Sequence, residues 1–196
     1  MKRIILLITA ITLFIGTADA QLFKKRDRNV ETEYAEGMVP VTNGKVTFDE
    51  VIAVEGMEAD EILAKAADWA KERYVEPTVI SARRYDSGDS IIIRGEEYIT
   101  FKSTFFVLSR ARIYYYLTIT AEDGLCRFNM TRITYWYDDE DENGGIKMKA
   151  EGWITDENAF SDKGGLKRFE GKFRRKTIDL KNTLVEELST ALGKQI

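Results

Sequence analysis

An acidic stretch that ends in glycine is the part of the sequence closest to a known ligand-binding pattern. The sequence of residues 139–144 is DEDENG, which places Asp139, Asp141 and Asn143 at alternating positions. Calcium binds oxygen ligands at such positions, and a glycine at the sixth position allows a sharp turn. The bidentate glutamate of a calcium loop would fall at Ala150, and the preceding segment has the pattern of a strand rather than a helix. We therefore interpret the stretch as a solvated hairpin tip, with a calcium site as the alternative.

The absence of histidine and the single cysteine exclude several kinds of active site. Without histidine, a Ser–His–Asp triad or a Cys–His pair lacks its base, and histidine-containing zinc sites lack a ligand. One cysteine forms neither an intrachain disulfide nor a cysteine metal cluster. The alternating run of Cys126, Phe128, Met130 and Ile133 predicts that this cysteine is a small buried side chain.

No stretch nominates catalytic or cofactor-binding residues. Neither of the glycine-rich phosphate motifs G-x-x-x-x-G-K-[ST] and G-x-G-x-x-G occurs. Two carboxylic acids would suffice for glycoside hydrolysis, but with 33 acidic residues the sequence points to no particular pair. The sequence therefore predicts no cofactor and gives no support to an enzyme.

Basic residues are concentrated before and at the start of the C-terminal helical pattern. They are Lys163, Lys167, Arg168, Lys172, Arg174, Arg175 and Lys176. Such a run is typical of a solvated helix face, and the second interpretation is a contact surface for a protein or an anionic envelope polymer. Lys172, Arg174 and Arg175 are the candidate contact residues. Nucleic acid is disfavoured because the formal net charge is −4 and because an export signal, described below, begins the chain.

Aromatic residues in the central strands are a second candidate contact surface. Because strand side chains alternate between faces, Tyr114 and Tyr116 lie on one face and Tyr115 on the other. An aromatic row on a sheet can bind a partner, but packing beneath a helix is the more usual cause of such a row. We name Tyr115 and Trp136 as candidate exposed aromatic side chains.

Hydrophobic periodicity predicts one sheet and two helices that would position these residues. A β-prone run, Ile91–Tyr137, lies between amphipathic helical patterns at Asp60–Arg73 and Phe173–Leu192, and Gly95 within it predicts a bulge or a close approach. The fold class is α+β: a curved antiparallel sheet of about five strands with two helices on one face, in the order β-α-β4-α. The predicted strands are Val41–Val54, Thr78–Tyr85, Ser90–Phe101, Arg112–Thr120 and Arg127–Tyr137. Ile146–Trp153 is a short strand or a linker.

The first 20 residues have the three parts of a secretory signal peptide. Lys2 and Arg3 precede the apolar stretch Ile4–Ile15, and Ala18-Asp19-Ala20 fits the cleavage rule. No later stretch of the sequence is long and apolar enough to span a bilayer. We expect an exported protein, periplasmic or extracellular, with a signal peptide at 1–20, a flexible arm at 21–38 and one domain at 39–194.

Three stretches of the chain resemble a known family. They are Val39-Pro40-Val41 through Glu61-Ile62; Arg94-Gly95-Glu96-Glu97-Tyr98; and Trp153-Ile154-Thr155-Asp156 with Gly171–Asp179. Across Val39–Leu192 the sequence is similar to exported proteins, common in Bacteroidetes, that are grouped as domain of unknown function 4468 with a TBP-like fold. The resemblance implies this fold and no activity, ligand or catalytic residue, since function depends on the site and not on the fold.

Three functions are compatible with these observations. The first is a non-catalytic binding or interaction module of the cell envelope, whose partner is an envelope protein or an anionic polymer and not nucleic acid. The second is a hydrolase of envelope glycans or peptides that uses an Asp/Glu pair in one cleft. The third is a structural role in assembly, with the basic helix and the acidic loop as contact surfaces.

Overall fold

The structure is a computed structural model and describes residues 32–75, 81–86, 90–103, 108–142 and 144–194, with backbone alone for 81–86 and 103. The predicted signal peptide at 1–20 and the first part of the predicted arm, 21–31, lie outside the described residues. So does the predicted start of a strand at Thr78.

Seven strands form one sheet in the described part of the chain. They are β1 (Val41–Thr42), β2 (Lys45–Ala53), β3 (Ser81–Asp86), β4 (Ser90–Ser103), β5 (Leu108–Glu122), β6 (Leu125–Tyr137) and β7 (Ile146–Lys149). The first predicted strand is in fact the hairpin of β1 and β2, because Asn43 and Gly44 turn the chain with φ values of 51° and 72°. The sheet thus has two short strands beyond the five expected.

Three α-helices complete the described fold: α1 (Ala59–Arg73), α2 (Asp156–Ala159) and α3 (Glu170–Ala191). In α1, Ile62, Ala66 and Trp69 recur at helical spacing and are buried. The α3 helix is continuous from Glu170, so Gly171 lies within its first turn and does not divide it. Short 3₁₀ helices occur at Thr32–Tyr34 and Ala150–Gly152. No helix of the described residues has the length and apolar character needed to cross a membrane.

All strand pairs are antiparallel, and β6 lies near the centre of the sheet. The strand order is β1-β2-β6-β5-β4-β3. One edge of β6 pairs with β5, while the other edge is shared by β2, which pairs with residues 125–131, and β7, which pairs with residues 134–137. The predicted α+β class with an open antiparallel sheet is confirmed.

A bulge in β6 keeps one face of the strand apolar along its whole length. Arg132 and Ile133 together lie opposite Tyr115 of β5, and Arg132 has a φ of 54°. The extra residue shifts the alternation, so the buried positions change from Cys126, Phe128 and Met130 to Ile133 and Tyr135. The predicted burial of Cys126 is confirmed, since its side chain is completely inaccessible.

The core lies between α1, α3 and one face of the sheet. Leu184 and Leu188 of α3 and Ile62 of α1 are fully buried together with Ile113 and Leu117 of β5. Each such side chain contributes about 1.5–3 kcal/mol through removal from water. The opposite sheet face has no equivalent cover from α1 or α3, and we call it the open face.

The segment before β1 is docked on the domain by Arg174, a residue that the sequence assigned to a contact surface. The Arg174 side chain has no exposed area. Its Nε donates to Tyr34 O at 2.9 Å, its Nη1 to Ile154 O at 2.7 Å and its Nη2 to Ala35 O. Nη2 also lies 2.9 Å from Asp156 Oδ1. Burial lowers the pKa of Arg174, and Asp156 opposes that shift.

Two predictions are corrected by this contact. Arg174 is not on an interaction surface, because a guanidinium buried with carbonyl acceptors on all sides is unavailable to a partner. Residues 32–38 are not part of a flexible arm, because Tyr34 is buried and its hydroxyl donates to Asp179 at 2.7 Å. The folded unit therefore includes Thr32–Met38.

Candidate ligand-binding face

The open face carries aromatic and basic side chains in rows that run across the strands. Register partners in an antiparallel sheet have Cβ atoms about 4.5–5.5 Å apart and lie on the same face. The rows include Arg112–Trp136–Lys147, Glu96–Tyr114–Thr134–Lys149 and, beside the bulge, Arg94–Tyr116–Thr131. The sheet register thus brings three aromatic rings and several cations to one surface.

A cavity of about 550 Å³ lies over these rows. Its lining includes the open-face aromatic residues Tyr114, Tyr116 and Trp136, and its charged lining is Arg94, Arg132, Lys147 and Lys149. The described lining contains no Asp or Glu. The volume falls in the range of about 300–1,000 Å³ that is usual for small-ligand sites.

Ring contacts hold two of the cations over the face. The Lys147 ammonium lies 4.4 Å from the centre of the Trp136 ring, and the Arg132 guanidinium lies 5.2 Å from the centre of the Tyr116 ring. The Trp136 indole is itself fixed, because its Nε1 donates to Gly144 O at 2.7 Å. Cation–π attraction of about 0.5–1 kcal/mol at exposed sites favours these positions without neutralising the charge.

The four cations of the cavity have no carboxylate partner among the described residues. None of Arg94, Arg132, Lys147 and Lys149 takes part in an ion pair there. By contrast, Arg112 at the margin pairs with Glu96 at 3.1 Å and with Asp139. The cavity is therefore a region of uncompensated positive charge on a protein whose net charge is −4.

The structure separates the two aromatic residues named from the sequence. Trp136 lies on the open face, as expected of an exposed aromatic. Tyr115 lies on the helix-covered face and has no exposed area, so its prediction as an exposed side chain is wrong. The cause is strand alternation: the sequence shows that Tyr115 faces away from Tyr114 and Tyr116, but not which face the helices cover.

Tyr115 belongs to a buried polar network instead. Its hydroxyl donates to Glu97 Oε1 and lies 3.1 Å from the Tyr74 hydroxyl. The other oxygen of Glu97 accepts from Arg73 Nη2 at 2.8 Å. Arg73 also lies 2.9 Å from Glu187 of α3, so the network joins both long helices to the sheet. The buried carboxylate of Glu97 therefore has a structural partner on each oxygen.

Gly95 makes room for the ring of Tyr115. The two residues are register partners, and a Cβ built on Gly95 would lie 2.5 Å from Cζ of Tyr115. Contact at that distance requires the ring or the strand to move. The close approach predicted at this glycine is confirmed, whereas the irregularity in the β4–β5 pairing falls farther along, between Thr100 and Lys102.

Lys172 and Arg175 are engaged with aromatic rings of the same chain. The Lys172 ammonium lies 4.5 Å from the ring centre of Phe169 and 4.9 Å from that of Phe101. Its pKa is lowered, chiefly by burial and also by the charge of Arg168. The Arg175 guanidinium lies 5.5 Å from the ring centre of Tyr34. A role for these two residues in binding a partner stays a prediction.

The acidic loop is organised by arginine side chains in the part that the structure describes. Asp139 pairs with Arg112, and Glu140 lies 2.6 Å from Arg110. The third residue of the calcium pattern, Asn143, lies outside the described residues. Among the residues that are described, no three Asp, Glu or Cys side chains are arranged to hold a metal ion.

Buried tyrosines make the fold sensitive to alkaline pH. Burial is the main cause of the raised pKa values of Tyr115 and Tyr135. These hydroxyl groups stay neutral in the folded protein but ionise near pH 10 in the unfolded chain. Their contribution to the free energy of unfolding is therefore complete below pH 10 and is lost as the pH rises above it. We expect the free energy of unfolding to fall by roughly 1.4 kcal/mol per pH unit for each such group.

Urea denaturation between pH 8 and pH 11 measures this effect. Tyr135→Phe removes one titrating group and the 2.7 Å hydrogen bond to Thr177. We expect this variant to be less stable at pH 8 but to lose stability less steeply above pH 10 than the parent protein. Equal slopes for the two proteins would contradict the assignment.

Sequence reasoning missed the four cations of the cavity. Lys147 and Lys149 alternate in IKMK, and Arg94 alternates with the buried Ile91 and Ile93. This alternation places Arg94, Lys147 and Lys149 on the face away from the core, so their signal was present. It was not decisive, because lysine on a short outer strand is also a common protection against edge-to-edge pairing. Arg132 follows Met130 at the spacing of the buried face, and only the bulge takes it out of the core.

An open antiparallel sheet with helices on one side is the architecture of a TBP-like α+β domain. Residues 48–136 match the model of the family described as "Domain of unknown function (DUF4468) with TBP-like fold". The chain is 32% identical to a DUF4468 family protein from Bacteroides ovatus, whose crystal structure superposes with a TM-score of 0.77. The match covers 85% of this chain and 97% of that one. The chain belongs to the DUF4468 family, as its three stretches indicated.

A second solved structure shares the fold. It is a TBP-like protein from Parabacteroides distasonis, 21% identical, with a TM-score of 0.65 over 81% of this chain and 99% of that chain. No curated protein matches the sequence. The family is one of unknown function, so the open face itself has to supply the functional argument.

Proposed function

We propose that this protein is an exported, non-catalytic binding module of the cell envelope whose open face takes an anionic ligand. The observation that carries the proposal is the set of four cations without carboxylate partners, placed around three aromatic rings in a cavity of about 550 Å³. Groups that are pre-positioned by the sheet register lose little freedom on binding, which favours affinity.

Export is supported by the sequence of the first 20 residues. The basic start, the apolar stretch Ile4–Ile15 and the Ala18-Asp19-Ala20 site have the order of a secretory signal. In the periplasm or outside the cell, the anionic partners at hand are envelope polymers and acidic protein surfaces. Nucleic acid is not the partner we propose, although the fold is named after a DNA-binding protein.

A hydrolase with two carboxylic acids receives less support from the geometry. Its acid and base would have to face one cleft, and the described lining of the cavity of about 550 Å³ has no Asp or Glu. In two smaller concavities the carboxylates of Asp49, Glu50, Asp139 and Glu140 are bound by Asn129, Lys181, Arg112 and Arg110 respectively. Glu97 is buried beneath the other face and bound to Arg73 and Tyr115. A purely structural role does not account for the four cations of the cavity that have no carboxylate partner among the described residues.

Titration with dextran sulfate tests the binding face by charge reversal. We expect the mature chain to bind this sulfated polymer and to bind it less tightly as salt is raised. The double variant Lys147→Glu/Lys149→Glu places two anions in the cavity and should weaken binding by about tenfold or more, which corresponds to roughly 1.4 kcal/mol. Calorimetry at two salt concentrations gives both the affinity for dextran sulfate and its dependence on salt.

A matched variant tests whether the location of the charge matters. Lys163→Glu/Arg168→Glu makes the same change of net charge on exposed residues of the connection between α2 and α3. We expect this control to bind dextran sulfate within about twofold of the parent protein, because screening limits the influence of distant charges. If the control loses binding and the cavity variant keeps it, the basic run before α3 is the binding surface and the proposal fails.

A further inference from the structure

The open face pairs each of two aromatic rings with a cation. The Arg132 guanidinium lies over the Tyr116 ring, and the Lys147 ammonium lies over the Trp136 ring. A ligand unit that takes the place of the cation over the ring meets the apolar ring surface and has the displaced cation next to it. The complementary unit has an apolar ring face and carries its own negative group. An unbranched polyanion such as polyphosphate would use the cations and leave the rings without a partner.

Neutral hydrogen-bonding groups also lie on the open face, where the carboxylates nearby are bound by Arg112 (Glu96) and Asn129 (Asp49). Thr118 and Thr134 are outward residues of β5 and β6, and Thr131 Oγ1 lies 3.3 Å from Thr47 Oγ1. Hydroxyl groups both donate and accept, so they suit a ligand that has many hydroxyls of its own. An acidic peptide has fewer such groups along its length.

A second concavity continues the face along the same two strands. It has a volume of about 270 Å³, and its lining includes Thr118, Thr120 and Asn129 together with the charged residues Asp49, Glu50 and Arg127. These residues follow Tyr116 and Thr131 directly in the β5–β6 register. Asn129 donates to Asp49 and Lys181 to Glu50, and these carboxylates repel anions, so the acidic groups of an oligomer belong at the first cavity and its uncharged parts at the second.

We infer that the open face binds an acidic oligosaccharide, with sugar rings against Tyr114, Tyr116 and Trp136 and the acidic groups at Arg94, Arg132, Lys147 and Lys149. This inference rests on the proposed function and adds the chemical class of the ligand. The aromatic rings select a cyclic unit, the cations select its charge, and the threonine hydroxyls meet its hydroxyl groups.

Calorimetric titration with three matched probes tests the class of ligand. The probes are an oligogalacturonate, a neutral malto-oligosaccharide of the same length and a polyphosphate of the same charge. We expect the oligogalacturonate to bind about tenfold more tightly than the polyphosphate, a difference of roughly 1.4 kcal/mol. The neutral oligosaccharide should bind more weakly than the acidic one.

Removal of the tyrosine rings provides the matched variants. Tyr114→Leu/Tyr116→Leu should lose the preference for oligogalacturonate and keep the binding of polyphosphate, whereas Tyr114→Phe/Tyr116→Phe should keep the preference. Retained polyphosphate binding also shows that the leucine variant is folded. The phenylalanine variant separates loss of the ring from loss of the hydroxyl.

The outcomes of these titrations distinguish the acidic-oligosaccharide inference from the proposed anion-binding function. Equal binding of oligogalacturonate and polyphosphate would overturn the saccharide inference and leave an anion-binding module. Tighter binding of oligoglutamate or of single-stranded DNA would overturn it in favour of an acidic peptide or a nucleic acid. Failure of every anion to bind, dextran sulfate included, would overturn both.

Discussion

Replacement of Arg174 by methionine lowers the free energy of unfolding by about 3–5 kcal/mol, the cost of breaking a buried charged contact. The substitution leaves the carbonyls of Tyr34 and Ile154 without their donor, and the carbonyl of Ala35 keeps only the Met38 N–H at 3.3 Å. Each buried polar group that loses its partner costs about 1–3 kcal/mol. Asp156 contributes less to the loss, because 41% of its side chain is exposed and water replaces the guanidinium.

The neighbouring arginine is the control for this result. Arg175→Met removes a cation that is only half-buried and contacts the Tyr34 ring, at a cost of about 0.5–1 kcal/mol. Urea denaturation compares the two variants, and limited proteolysis within residues 32–40 reports whether the segment before β1 detaches. Equal stability of the two variants, with no increase in cleavage for Arg174→Met, would show that this contact does not hold the segment.

Replacement of Gly95 by alanine is the second substitution with a large expected effect. The added methyl group would lie 2.5 Å from Cζ of Tyr115, a ring held by Tyr74 and Glu97 through its hydroxyl. Because the ring cannot move without breaking those hydrogen bonds, we expect a loss of about 1–3 kcal/mol. Gly152→Ala is the control, since nothing lies within 4 Å of a Cβ at that position.

A double-mutant cycle isolates the steric cause. Tyr115→Leu removes the ring and is destabilising by itself, but it opens the space that the methyl group added at Gly95 needs. Gly95→Ala should therefore cost less in the Tyr115→Leu background than in the parent protein, with a coupling energy of about 1 kcal/mol or more. Additive losses in the denaturation midpoints would instead assign the effect of Gly95→Ala to the backbone of β4.

Local patterns in the sequence were sufficient for the elements of the fold. Alternation placed Tyr114 and Tyr116 on the face opposite Tyr115, and helical spacing located α1 within one residue of its observed start. The close approach at Gly95 was also predicted. These features depend on neighbours along the chain and on the periods of strand and helix, which a single sequence contains.

The identity of the covered face depended on contacts distant in sequence. Tyr115 and Trp136 were named together as exposed, although they lie on opposite faces of the sheet. Arg174 was assigned to solvent because a charged residue in a helix is usually exposed. Its acceptors at Tyr34 and Ala35 precede it by 140 and 139 residues, and only the folded chain brings them together.

The same contact determines how the domain would bear a mechanical load. Arg174 lies in the first turns of α3, and its guanidinium donates hydrogen bonds to the carbonyls of Tyr34 and Ala35 near the beginning of the described chain. A force applied between residues 32 and 194 would pass from the N-terminal segment through the guanidinium into α3 and along that helix. The strand pairs of the sheet lie outside this path, so the open face would keep its shape until the Arg174 contact and the Tyr34–Asp179 hydrogen bond break.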